Sequence, residues 1–386
     1  MVSSSRRTIG SKKHYEPEGR VRDRFEVAVI GGGPAGSLTA MLLARQGCRV
    51  AVFDKSRPGA FCVGETLPPQ SSRVLTELGL FDRFREQKHR ASPGVVSVWG
   101  SPKPLANDFL FSPHGEGWHI DRAKLNALLR AAAVEAGASL FRDTGVRQCT
   151  QSENSSTWTI CTGHRDELEC DFLVDASGRQ PARLLPNPGR TVYDRLISIA
   201  GLAEPAAGGS GAASDFTLIE AVLDGWFYSA LLPSEAYIVT FTTDADLYAA
   251  ARIRSPGYLD EQLSQAPLTS ARINRFPDAA TAFAAVTMRR NVVVQSNWIA
   301  VGDAAKSYDP LSGLGILSAM KAAIEAAAVV RDMLAGQTAT AAKYEASNQR
   351  SFSKYREMQD RYYSLERRWP DAPFWSRRHQ GLQPLS

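Results

Sequence analysis

The chain has 386 residues, of which 44% are hydrophobic and 22% charged, with a net charge of +5. These are the proportions of an ordinary globular protein with ample chain for a core, and they exclude collagen-like, disordered and disulfide-dense chains. No apolar run is long enough for an integral membrane protein, and the mild basic excess lacks the interleaved aromatics of a nucleic-acid surface. Five cysteines without a CxxC pair read as reduced structural thiols of a cytoplasmic protein.

Residues 1–24 hold seven basic against three acidic residues and no apolar run follows Arg6-Arg7, so they read as a flexible basic arm. The stretch from Phe25 to Asp54 then organises the chain. Val27-Ala28-Val29-Ile30 suits a buried strand, Gly31-x-Gly33-x-x-Gly36 a tight turn, Leu38, Leu42 and Leu43 a helix, and Val50–Phe53 a second strand ending on Asp54. This is a dinucleotide-binding βαβ unit. Gly31 permits the turn, Gly33 lets a pyrophosphate approach the backbone, and Gly36 lets helix and strand lie close. Asp54 is placed for a ribose.

A Gly/Pro loop, residues 56–69, precedes a helix over residues 71–80 that stops at Gly79. Residues 81–117 are mixed and include the β-like Val95-Val96-Ser97-Val98-Trp99. Asp121 is the expected cap of a helix carrying Leu125, Leu128, Leu129, Ala132 and Ala133. Short strands lead to Asp175-Ala176-Ser177-Gly178. Residues 180–290 then lose the strand–helix alternation and read as an antiparallel sheet with one helix near residues 259–263. Small residues from Ala206 to Ser214 interrupt them. Trp298–Val301 is a buried strand running into Gly302-Asp303, followed by an Ala-rich helix from Gly315 and a basic, aromatic helix over residues 343–368.

The segments VIGGGPAG, VGETLPP, WHIDRAKL, DFLVDASGR and WIAVGDAAKSYDPLSGLGI occur in this order between residues 29 and 316. Together they resemble flavoprotein monooxygenases of the hydroxybenzoate-hydroxylase structural type, in the branch with flavin halogenases and geranylgeranyl reductases. The resemblance implies an α/β fold: an FAD-binding Rossmann-like (glutathione-reductase-type) domain, a mixed or antiparallel β-sheet substrate domain, and a C-terminal helical segment. The FAD domain would comprise residues 25–85, 118–180 and 290–342, the substrate domain 86–117 and 181–289, and the helical segment 343–386.

Carried onto this chain, the resemblance gives Gly31, Gly33, Ala35 and Gly36 to the FAD pyrophosphate and Asp54 with Lys55 to the adenosine ribose. It places Arg122 toward the ribityl-phosphate region, Val146 beside the adenine and Gly302-Asp303 on the ribityl chain, with Glu65 and Thr66 as further cofactor contacts. Pro310, Ser312, Gly313, Leu314 and Gly315 would lie along the isoalloxazine. A helix start aimed at the flavin ring favours the anion of the reduced cofactor. His89 is a candidate base because imidazole titrates near neutrality. Trp99, Trp226 and Tyr228 are candidate substrate contacts. HGEGWH lacks the spacing of a metal helix, so no metal is expected.

Halogenases of this branch carry a Trp-x-Trp-x-Ile-Pro element and a catalytic lysine. Here Gly225-Trp226-Phe227-Tyr228-Ser229-Ala230-Leu231 stands for the first, and Val95–Trp99 holds no lysine. The GETLPP loop and the His89 and Ser97–Gly100 segments are similar to the LodB/GoxB-type flavoproteins that serve quinone-cofactor maturation, including the one for quinohemoprotein amine dehydrogenase. That likeness implies hydroxylation of a tryptophan side chain in a partner polypeptide through a flavin C4a-hydroperoxide, using O2 and electrons from NAD(P)H or a separate flavin reductase. Halogenation, prenyl reduction and a non-catalytic flavin-bound docking protein remain open alternatives.

Overall fold

The computed structural model describes residues 24–57, 59–152, 156–163, 167–179, 189–206 and 215–385. The expected basic arm, apart from Arg24, and the small-residue stretch beyond Ala206 lie outside them.

The first sheet has eight strands, five of them parallel in the order Trp298–Ala300, Glu167–Asp175, Arg24–Ile30, Val50–Asp54 and Ser139–Arg142, with Val294–Gln295 antiparallel at the Trp298–Ala300 edge. The central strands are buried on both faces, which is why they read as continuous apolar runs rather than alternating ones. The fingerprint helix Pro34–Arg45 packs between the helices Arg122–Glu135 and Gly315–Leu334. Asp121 caps the helix Arg122–Glu135 by accepting from the Lys124 amide at 3.1 Å. An antiparallel meander, Val146–Gln151 and Trp158–Thr162, joins the sheet through Glu167–Asp175.

The second sheet has seven strands, in the order Thr281–Ala284, Leu196–Ala203, Tyr237–Asp244, Gly225–Leu231, Thr217–Val222, Gly94–Val98 and Leu105–Asp108. All neighbours are antiparallel except Thr217–Val222 and Gly94–Val98. The period-2 alternation of a strand sorts its aromatics. Phe227 faces Phe241, Phe276 and Tyr258, while Trp226 and Tyr228 face the C-terminal aromatics. Two small sheets stitch the domains together. One joins Thr66–Leu67, Gly117–His119 and Arg90–Ser92, and the other Arg190–Val192, Met288–Arg290 and Lys306–Ser307.

Helix boundaries differ from the expectation in three places. The helix after the GETLPP loop is Gln70–Glu77, and a second one, Phe81–Glu86, follows the Gly79 break. Where one helix was expected near residue 260 there are three, Ala245–Arg254, Tyr258–Ser264 and Pro267–Arg272. None of the first one's residues is fully buried, so it lacks the apolar stripe that periodicity detects. The C-terminal segment forms Ala339–Leu365 and a separate Pro373–His379, divided by the proline-containing turn.

The long C-terminal helix crosses both domains with one buried face, Tyr344, Asn348, Phe352, Tyr355, Gln359 and Tyr363. Their spacing of three and four keeps them on one line. Tyr344 donates to the Ala300 carbonyl of the first sheet at 2.9 Å, while Trp99 of the second donates to Tyr362 O at 2.8 Å. Tyr355, Tyr363, Phe374 and Trp375 of this segment are therefore core rather than a membrane-facing surface. Tyr363, Phe374 and Trp375 are all at most 1% exposed.

Candidate functional site

The carboxyl ends of the parallel strands converge on one crevice, where ligands of such folds bind. Gly31 N donates to Phe53 O, Ala176 N to Ile30 O and Val301 N to Asp175 O, each at 2.8 to 2.9 Å. Gly31, Asp54, Ala176 and Gly302 thus sit side by side along the sheet's edge. Gly31 has φ +113°, and a Cβ there would lie 2.3 Å from Ala176 O. A Cβ on Gly36 would lie 1.9 Å from Gly31 O, and one on Gly32 2.7 Å from Asp54 Oδ2. Gly33, the N-cap of the fingerprint helix, has open space around it and no side-chain cap. A helix start presented this way is a site for phosphate oxygens.

Asp54 is buried and already engaged. It accepts from the Ser56 amide and hydroxyl at 3.0 and 2.7 Å and pairs with Arg130 at 3.1 Å. Arg130 is thus a member of the site that local motif reading missed, two helical turns beyond Arg122. Lys55 is exposed and lies beside Gly145, which brings Val146 to the same end of the crevice.

The opposite wall is built from distant segments. Gly302, at φ +64°, abuts Ala35: a Cβ there would sit 2.8 Å from that of Ala35. Asp303 pairs with Arg179 at 3.1 Å, and Arg179 also donates to Tyr308 O and Val286 O. A buried ion pair, Arg290 to Asp175 at 2.6 Å, fixes the neighbouring strand end. Arg122 donates to Val63 O at 2.7 Å and Gly64 O at 3.1 Å, which locks the GETLPP loop onto the N-terminal end of its helix.

Glu65 lies in that loop, 4% exposed. Its Oε2 accepts from the Gly64 amide at 2.8 Å, but its Oε1 is buried without a partner, as is Arg122 Nε. Burial, partly offset by Arg122, pushes the Glu65 carboxyl up to about 7. The adjacent Thr66 hydroxyl bonds to Tyr228, so the second sheet reaches this wall.

The turn Asp309–Gly315 closes the crevice. Asp309 accepts from the Leu311 amide at 2.8 Å, Pro310–Ser312 forms a short 3-10 helix, and Gly313 ends it at φ +59°. The Ser312 hydroxyl donates to Asp309 O and accepts from Leu314 N, so it shapes the turn. Gly315 then starts a 20-residue helix. Three groups of the C-terminal helix converge on Asp309. The Tyr355 hydroxyl accepts from its amide at 2.7 Å, and Gln359 and Tyr363 donate to its Oδ2 at 3.1 and 2.6 Å. These were missed in sequence, although polar residues four apart on a buried helix face signal a fixed partner.

Three expected residues fall elsewhere. His89 Nδ1 accepts from the Asp121 amide at 3.2 Å, and Nε2 faces Gln87 Oε1 at 3.0 Å. Burial pulls its pKa down to about 4, so it is a neutral strut beneath a helix start rather than a free base. Trp226 is 1% exposed, with its N–H on the Tyr363 hydroxyl at 3.1 Å, and Trp99 packs against Trp226, Tyr363 and Trp375. Both belong to the core cluster under the C-terminal helix, not to an open substrate wall. Among the described residues, no group of three or more His, Cys, Asp or Glu is arranged to hold a metal.

The two main sheets and the crevice at the strand ends define a nucleotide-binding α/β architecture. The chain belongs to the FAD binding domain family, which matches residues 24–354. It is 29% identical over 372 residues to LodB of Marinomonas mediterranea, which carries the name of an FAD-dependent oxidoreductase, covering 92% of this chain and 97% of LodB. The structure of the peptidyl tryptophan dihydroxylase QhpG, essential for tryptophylquinone cofactor biogenesis, superposes with TM-score 0.68 at 26% identity, over 92% of this chain and 78% of QhpG. That of the flavin-dependent halogenase CmlS gives TM-score 0.82 at 24% identity, over 92% of this chain and 67% of CmlS. The crevice suits FAD: a helix start with room only at Gly33 for phosphates, and a buried polar atom, Arg122 Nε, still without a partner. No helix of the described residues is long and apolar enough to cross a membrane.

Proposed function

We propose that this chain is an FAD-dependent monooxygenase that hydroxylates a tryptophan side chain in a partner polypeptide during quinone-cofactor maturation. The observation that carries this reading over halogenation is the strand Gly94–Val98. It holds no lysine, and the nearest lysines in the chain, Lys88 and Lys103, are solvent-exposed. Halogenation needs such an amine to steer the oxidised halide. Overlap with LodB along 97% of its length supports the same choice.

FAD, reduced by NAD(P)H or by a separate flavin reductase, supplies the electrons that activate O2. The chain's own residues bind and orient. Gly31, Gly33, Ala35 and Gly36 take the pyrophosphate, and Asp54, held by Arg130, takes the ribose, with Lys55 and Val146 at the adenine end. Arg122 and Asp303 grip the middle of the cofactor. Thr66 and Pro310–Gly315 would hold the flavin ring when FAD is bound, with Tyr228, bonded to Thr66, on the substrate side. Glu65 replaces His89 as the proton acceptor for the hydrogen lost from the indole ring. Its Oε1 is unpartnered, and a carboxyl near 7 takes and returns a proton close to neutrality.

The test is mass spectrometry of a tryptophan-containing partner polypeptide incubated with the protein, FAD, a reductant and O2. Oxygen added to tryptophan is the expected result. Halide-dependent mass gain would instead identify a halogenase, hydrogen added anaerobically to an isoprenoid a prenyl reductase, and no oxygen uptake a docking protein. Asp303→Ala, which removes a charged hydrogen-bonding group, should weaken FAD binding about tenfold to a hundredfold, measured by flavin fluorescence.

A further inference from the structure

The outer face of the C-terminal helix Ala339–Leu365 is used by nothing described above. Lys343, Arg350, Lys354 and Arg361 are all exposed on it and have no ion-pair partner among the described residues. Their steps of seven, four and seven residues keep them within about 20° of one line over about 27 Å of helix. Beside this line lie Met358, Tyr362 and Leu365, each about half exposed at 49%, 52% and 53%. Lys354, Glu357, Met358, Arg361, Tyr362 and Leu365 line a concavity of about 460 Å³.

An unpaired sheet edge leaves from the same corner. Gly100 abuts Leu365: a Cβ there would lie 2.6 Å from Leu365 O. Beyond it, Leu105–Asp108 is the last strand of the seven-stranded sheet and is exposed throughout. Its outer row of backbone N–H and C=O groups is a template for an added strand.

We infer that this corner is the docking surface for an acidic, amphipathic segment of the partner polypeptide, with carboxylates along the basic line and an apolar side chain in the concavity. The inference rests on the reading that the substrate is carried on a polypeptide. Charge selects the occupant. The chain's own residues 1–23, with six basic and three acidic residues, and a second copy presenting the same line are both repelled from it. Shape selects a polypeptide over a bilayer or nucleic acid, because the apolar part is concave and a strand edge pairs with main chain. The inner face of the same helix holds Asp309 through Tyr355, Gln359 and Tyr363, so the docked segment sits one helix diameter from the crevice-closing turn.

The test measures fluorescence anisotropy of a labelled, tryptophan-free amphipathic peptide of Glu, Leu and Ala with the FAD-loaded full chain. Lys354→Glu with Arg361→Glu should weaken binding about tenfold at low salt, each residue turning from attraction to repulsion. The charge-matched control, Lys321→Glu with Arg254→Glu on other exposed surfaces, should stay within about twofold. Equal loss in both variants, no binding by the unmodified chain, or preference for phosphatidylserine vesicles or duplex DNA would overturn the inference. The probe carries no tryptophan, so its failure leaves the oxygenation result untouched, and failed oxygenation leaves the docking result untouched.

Discussion

Two tight turns face each other across the crevice and are held in opposite ways. The fingerprint turn, Gly31–Gly36, is fixed by close approach within one βαβ unit and its neighbouring strand, with no room for a side chain at Gly31, Gly32 or Gly36. The turn at Asp309–Gly315 is fixed from outside, by Tyr355, Gln359 and Tyr363 some fifty residues later. Steric fit of backbone to backbone is all or nothing. An aspartate held through its amide by Tyr355 and through its carboxylate by Gln359 and Tyr363 fails in steps as each partner is removed.

Trp226→Ala should have the largest effect. It empties a fully buried site that supports Tyr363, at a cost of about 3–5 kcal/mol in denaturant unfolding, and it should loosen the Asp309 turn while sparing the fingerprint. Gly36→Ala tests the other side. The new methyl meets a backbone carbonyl that cannot swing away, so about 3 kcal/mol and most FAD binding should be lost. Equal damage to both turns by either change would erase the contrast.

Glu65, on the loop between the two turns, gives a pH-dependent version. Its ordinary value of 4.5 applies to the unfolded chain, and about 7 to the fold. A raised folded pKa means its stability contribution is whole below about pH 4.5 and falls as the pH climbs to about 7, a loss of about 3 kcal/mol. Glu65→Gln should therefore match the unmodified apoprotein in acid and exceed it above neutrality in denaturant melts. The smallest effect is Tyr363→Phe, which removes one hydrogen bond to Asp309 and an acceptor for Trp226, costing about 2 kcal/mol with the fingerprint unmoved.

The same contrast explains what the sequence disclosed. Gly31, Gly33, Gly36 and Asp54 are legible because strand, turn and helix physics acts over thirty consecutive residues. Gly302-Asp303 follows a buried strand and is legible in the same way. Arg130, Arg179 and the tyrosines on Asp309 are not, since each meets its partner only after the sheet and the long helix have been laid down. His89, Trp99 and Trp226 misled for a related reason. An imidazole and two indoles are chemically able side chains, but their partners, the Asp121 amide, Tyr362 O and the Tyr363 hydroxyl, make them struts. The three helices between residues 245 and 272 were compressed into one because the first buries no complete stripe.

The strap that fixes Asp309 also orders events during synthesis. The βαβ unit is translated early, and its turn is fully defined once the strand Glu167–Asp175 has joined it. The opposite wall waits for the strand Trp298–Ala300, and its closing turn waits again for Tyr355, Gln359 and Tyr363. A ribosome stalled before residue 355 would display a chain with the fingerprint turn but without the groups that fix Asp309. Tight cofactor retention should therefore appear late in translation, when the helix Ala339–Leu365 leaves the exit tunnel and docks.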